Sequence, residues 1–101
     1  MKRPNTASRA DAQPTESICR IYTEKKNSRS IAKLISTQFE SFTIHPTVGY
    51  YRGNREDSIA IEIVAASPSA IRKLAQRIKE MNGQKSILTI SFRAQVESIR
   101  W

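Results

Sequence analysis

Residues 42–64, FTIHPTVGYYRGNREDSIAIEIV, read as two strands folded on a tight turn at Gly53-Asn54. Glycine in the first turn position tolerates the positive φ that a two-residue hairpin demands. Before the turn, Phe42, Ile44, Val48 and Tyr50 fall on one face, and Thr43, His45, Thr47 and Tyr51 on the other. Pro46 has no N–H to give to a ladder, so this strand lies at an edge or carries a bulge there. After the turn, Ile59, Ile61 and Ile63 alternate with Ala60, Glu62 and Val64, the pattern of a half-buried strand. A helical pattern precedes the hairpin and another follows it, with one more strand at each outer end. The expected order is β-α-β-β-α-β.

The flanking elements follow from their periodicity. A first strand is expected from Ile18 to Glu24, with Cys19 and Ile21 on one face and Arg20 and Tyr22 on the other. Asn27 or Ser28 is expected to cap a helix carrying Ile31, Leu34, Ile35 and Phe39, which ends near Phe39–Glu40. Ser67-Pro68 opens the second helix as N-cap and first-turn proline, and Gly83 stops it. Its apolar stripe is Ile71, Leu74, Ala75, Ile78 and Met81, with Arg72, Lys73, Arg77 and Lys79 on the other faces. A last strand is expected from Ser86 to Trp101, with Leu88, Ile90, Phe92, Ala94 and Val96 facing inward.

Two helices on one face of a four-stranded antiparallel sheet bury these stripes. That is a ferredoxin-like α+β sandwich. The other sheet face stays open, and alternation assigns to it Arg20, Tyr22, His45, Tyr51, Glu62, Val64, Ile87, Thr89 and Arg93. A mixed face of this kind suits a nucleic acid, a small ligand or another copy of the chain.

A chain of 101 residues, 39% hydrophobic, supports one modest core and so one domain, expected over residues 17–101. Residues 1–16 hold two prolines and no large apolar side chain after Met1, so they read as a disordered tail. The formal charge is +8. The tail has three basic and two acidic residues, which leaves +7 beyond it. No run of five bases occurs, so a basic solvated surface accounts for the excess. The single Cys19 excludes an internal disulfide and suits a reducing compartment. No apolar leader and no stretch long enough for a membrane span occurs, and a cytoplasmic, non-membrane protein is expected.

The residue types that carry catalysis are thinly spread. His45 is the lone histidine, too little for a triad, and no metal-ligand spacing surrounds it. Glu56 and Asp57 are adjacent on a strand and point to opposite faces, which makes them turn charges and not an acid–base pair. No glycine-rich phosphate loop is present. The segment Glu24 to Arg29 between the first strand and helix lacks the cradle that an acylphosphatase-type enzyme needs. RNA recognition by the sheet would want aromatics on the third strand, where EDSIAIEIV has none. The chain therefore reads as a binding protein with no cofactor and no metal, not as an enzyme.

The hairpin segment Tyr51-Arg52-Gly53, with Glu56 and the apolar run Ile59–Ile63, resembles that of the CutA-like branch of the PII-like superfamily. There an aromatic-basic-glycine step precedes an acidic residue and an apolar strand. This chain departs from the pattern in having tyrosine for tryptophan, Ser58 for an acidic residue, Val64-Ala65 for Lys-Thr, and Ile44-His45 where a cysteine is expected. The resemblance implies a homotrimer with open sheet faces packed inward and clefts between subunits. No metal or nucleotide site carries over.

The leading expectation is thus a non-enzymatic oligomeric regulatory or ligand-sensing protein. Tyr50, Tyr51, Arg52 and Arg55 are the candidates for a cleft holding a small anionic ligand. Val96, Ile99 and Trp101, beyond what a short sheet can pair, are candidates for the oligomer interface. The second expectation is a basic adaptor for nucleic acid or an acidic protein, held by Arg72, Lys73, Arg77 and Lys79.

Overall fold

A sheet whose buried apolar side chains are mostly isoleucine needs one apolar layer to cover them, and two amphipathic helices supply it. The computed structural model describes residues 14–99. It contains β1 (Thr15–Glu24), α1 (Ser28–Ser36), β2 (Thr43–Tyr51), β3 (Asn54–Val64), α2 (Pro68–Asn82) and β4 (Leu88–Gln95). The sheet order is β2-β3-β1-β4 and every pairing is antiparallel, which is the expected ferredoxin-like α+β arrangement. β2 pairs with β3 without interruption through Pro46, so the proline is accommodated by the edge position and not by a bulge.

The core lies between sheet and helices. Cys19 and Ile21 from β1, Ile59, Ile61 and Ile63 from β3, Ile31 and Ile35 from α1, and Ile71, Leu74, Ala75 and Ile78 from α2 are all buried. Leu34, Phe39, Phe42, Ile44 and Ile87 close its margins. Helix α2 is bounded as its sequence predicts. Ser67 Oγ accepts from the Ala70 N–H at 3.2 Å, and Pro68 occupies the first turn. At the other end Gly83 turns left-handed at φ 64°, so its N–H and that of Gln84 reach the carbonyls of Glu80 and Lys79.

Several local expectations are corrected. β1 starts at Thr15, so Thr15 and Glu16 belong to the sheet; residues 1–13 of the expected tail lie outside the described residues. The hairpin turn is Arg52-Gly53, one residue earlier than expected, because Tyr51 pairs with Asn54. Both turn residues have positive φ, 50° and 81°, the primed geometry that matches strand twist. Helix α1 ends at Ser36, and the backbone N–H groups of Gln38 and Phe39 close its last turn on Ile35. Asn27 sits at the N-cap position in a left-handed conformation, but its side chain caps nothing. It donates instead to Asn82 Oδ1 at 2.9 Å. Met81 is exposed and Asn82 takes the buried place at the end of α2.

The largest correction concerns β4. Cys19 pairs with Ser91 and Ile21 with Thr89, so Thr89, Ser91 and Arg93 lie on the helix side with Ile87. Leu88, Ile90, Phe92 and Ala94, opposite Tyr22, Arg20, Ile18 and Glu16, face away from the helices. Residues directly opposite in a ladder share a face. The inward assignment of Leu88, Ile90, Phe92 and Ala94 is therefore reversed, as is the outward assignment of Ile87, Thr89 and Arg93. The strand also ends at Gln95, where its partner β1 begins at Thr15. Val96 and Ile99 lie beyond it and are exposed; Arg100 and Trp101 lie outside the described residues.

Candidate functional site

The sheet face without helices is built by four strands in register. One cross-strand row holds Phe92, Ile18 and Val64, the next Ile90, Arg20, Glu62 and Thr43, the next Leu88, Tyr22, Ala60 and His45. Leu88, Ile90, Phe92 and Val64 are each between 39% and 57% exposed, so the β4 half of this face presents a continuous apolar strip. Arg20 of β1 borders it with charge. Its Nε donates to Glu62 Oε1 at 2.8 Å, and its guanidinium lies 5.1 Å from the Phe92 ring centroid. The hydrogen bond to Glu62, then that to Tyr22, raises the Arg20 pKa above the ordinary arginine value. The β2 half is polar, with Thr43, His45 and Thr47 exposed or half-buried.

Beyond Ser58, where β1 ends against β3, the β2–β3 hairpin projects as a two-stranded ribbon. A cleft of about 740 Å³ lies between this ribbon and the loop from α2 to β4. Tyr22, Tyr51, Glu24, Glu56, Gln84 and Leu88 are among its lining residues. Tyr51, Glu56 and Tyr22 belong to the open face by register. Glu24 is paired with Lys26 at 3.3 Å. Thr23 and Asn82, both buried, hold Gln84 and thereby the far wall of the cleft: Asn82 Nδ2 donates to Gln84 Oε1 at 3.0 Å and the Thr23 hydroxyl donates to the same oxygen.

The hairpin candidates divide. Tyr50 and Tyr51 both line this cleft, while Arg52 sits in the turn with its guanidinium 5.3 Å from the Tyr51 ring centroid. Arg55 lines a separate 330 Å³ groove with Lys25, Pro46, Val48 and Asp57, and is paired with Asp57 at 3.2 Å. A third hollow of about 540 Å³ lies at the start of α2, lined by Ser17, Ala66, Ser67, Ser91 and Arg93. Arg72, Lys73 and Arg77 are exposed on α2, and Lys79 is half-buried. Glu56 is the residue that sequence reasoning discounts; alternation with Glu62 already puts it on the open face, and the turn at Arg52-Gly53 sets it opposite Gly49. Among the described residues no group of three or more His, Cys, Asp or Glu converges as metal ligands. No helix there is long and apolar enough to cross a membrane.

Solved structures share this architecture. The divalent cation tolerance protein CutA1 of Thermus thermophilus superposes with a TM-score of 0.59 at 14% identity, over 82% of this chain and 87% of that one. The fold is the CutA1 fold. A phage SAM lyase, solved in complex with S-methyl-5'-thioadenosine, matches with a TM-score of 0.51, also at 14% identity, over 84% of this chain and 93% of that one. No family model matches the sequence, and no curated protein matches it either. A cation tolerance protein and a lyase on one scaffold mean that the CutA1 fold does not by itself select an activity.

Proposed function

We propose that the chain works as a self-associated ligand-binding protein, in which copies pack their open sheet faces together and the cleft beside the hairpin takes a small ligand. The observation that carries this reading is the direction of β4. Its apolar side chains Leu88, Ile90 and Phe92 point away from the helices, and its small polar ones, Thr89 and Ser91, point toward them. A strand destined to face water would be built the other way round. An exposed apolar strip on an otherwise well-patterned sheet marks a protein interface. The projecting ribbon adds support, because two strands alone are marginally stable in water and gain from a neighbour. The assembly expected is a trimer with a regulatory or sensing role. Light scattering after size exclusion tests it: a mass of three chains is expected, and a monomer at micromolar concentration sinks the reading.

A second reading is favoured by the thioadenosine held in the phage lyase. Of the three tyrosines lining the cleft, Tyr22 and Tyr51 belong to the open face by register, as do Glu24 and Glu56. Aromatic faces and carboxylates together suit a sulfonium nucleoside, since the ring quadrupole attracts a cation; a thioether nucleoside would rely on stacking of its base on the rings. Calorimetry with S-methyl-5'-thioadenosine and with SAM, followed by chromatography for SAM breakdown, decides between binding and turnover. Heat from neither compound removes this reading and leaves the first one standing.

A further inference from the structure

The charge of this protein is segregated by layer. Residues 14–99 contain thirteen Lys/Arg and eight Asp/Glu, a net of +5. Helices α1 and α2 contain six of those bases (Arg29, Lys33, Arg72, Lys73, Arg77 and Lys79) and a single acid, Glu80, so the same +5 resides in the helices. The strands and loops hold seven of each sign and are neutral. The described ion pairs, Arg20–Glu62, Lys26–Glu24 and Arg55–Asp57, all lie outside the helices. Glu80, the one acid, accepts from Gln76 at 2.9 Å.

The shape and chemistry of this layer select its partner. Lys73 and Arg77 are one helical turn apart on a common face, roughly 6 Å between side-chain origins. Arg72 and Lys79 are two turns apart, a rise of about 10.5 Å. None of the six basic residues lines the three clefts described above, so they form an outer surface and not a pocket for a small anion. Neither helix contains an aromatic residue to stack on an unpaired base. Apart from Met81, the apolar stripes of both helices are turned into the core, which leaves no apolar face to enter a bilayer. An extended, regularly charged polyanion fits what remains. We propose that the helix layer docks duplex nucleic acid through its phosphates, without reading bases. This surface is separate from the open sheet face and the cleft, so it stands or falls independently of the function proposed above.

The test is fluorescence anisotropy of a labelled duplex of about 20 base pairs with the full chain. For four to six phosphate contacts, affinity should fall roughly 100- to 1,000-fold between 50 and 200 mM salt. Sequence should matter little. The double substitution Lys73→Glu with Arg77→Glu should weaken binding at least about tenfold and flatten the salt dependence by about two contacts. Lys25→Glu with Lys26→Glu changes the net charge equally but lies outside the helices, and should weaken it far less; thermal melting confirms that both variants fold. No binding at the lower salt, or an equal loss in the two variants, overturns the proposal. So does binding that poly-glutamate displaces as well as DNA does, or binding to anionic vesicles without binding to the duplex.

Discussion

Arg20 and Glu62 face each other across β1 and β3, Nε to Oε1 at 2.8 Å, on the sheet face that no helix covers. In a single chain this pair is partly wet, with side-chain exposures of 40% and 28%, so water can replace either partner. Between packed faces it is not, and removing one partner leaves a buried charge. Glu62→Gln should therefore leave the melting temperature of dilute protein nearly unchanged and weaken self-association by more than about tenfold, read by sedimentation. A variant that associates as well as the parent removes the pair from the interface. The pH dependence has a definite sign. The folded-state pKa of Arg20 is raised, so its contribution is complete below the ordinary arginine value and lost only as pH climbs past the raised one. Arg20 should add no slope to stability across the neutral range.

Cys19 is completely buried, its Sγ lying 3.4 Å from Ser91 Oγ and 3.8 Å from the Ala66 carbonyl oxygen. A thiol with no access to solvent reacts only when the structure opens. Aromatic disulfide reagents should label it at the rate of unfolding, rising with denaturant. Stoichiometric labelling within seconds in native buffer would show that β1 and β4 separate freely.

Ala65 leaves β3 with φ 68°, where its methyl group crowds the backbone, while its N–H bonds the Ser17 carbonyl at 2.7 Å. A left-handed conformation costs an L-residue about 1–2 kcal/mol, and glycine repays part of the saving in unfolded-state entropy. Ala65→Gly should stabilise the fold by about 0.5–1 kcal/mol in urea titration. A loss of stability would mean that the methyl contact outweighs the strain.

Alternation and capping residues make most of this fold legible. Ile59, Ile61 and Ile63 allow one orientation of β3, and Ser67-Pro68 with Gly83 bounds α2 within a residue. β4 runs against expectation for a physical reason: alternation tells which residues share a face, and not which face has cover. Leu88, Ile90 and Phe92 look like core because they are apolar and alternate, yet they are 39–57% exposed on the face without helices. The cleft is half legible. Tyr51 follows from the hairpin, but Tyr22, Glu56 and Gln84 come together only through pairings across several strands and a loop. Asn27 resembles a cap because asparagine usually is one; its use as a donor to Asn82 depends on where α2 ends, which local sequence does not encode.

Asn82 is the joint of that polar cluster, and 4% exposed. Its Nδ2 donates to Thr23 Oγ1 at 3.1 Å and to Gln84 Oε1 at 3.0 Å, and its Oδ1 accepts from Asn27 at 2.9 Å. One side chain thus ties β1, the start of α1 and the wall of the cleft. Asn82→Ala leaves the Gln84 oxygen and the Asn27 amide short of partners in a part-buried site, which should cost about 1–3 kcal/mol. The loop at 83–87 should loosen first, seen as faster amide exchange at Gln84 and Lys85. Thr23→Val perturbs the same cluster from the strand side, so the two changes together should cost less than their sum, by at least about 0.5 kcal/mol. Strict additivity would show that Asn82 and Thr23 act on Gln84 separately and not as one cluster.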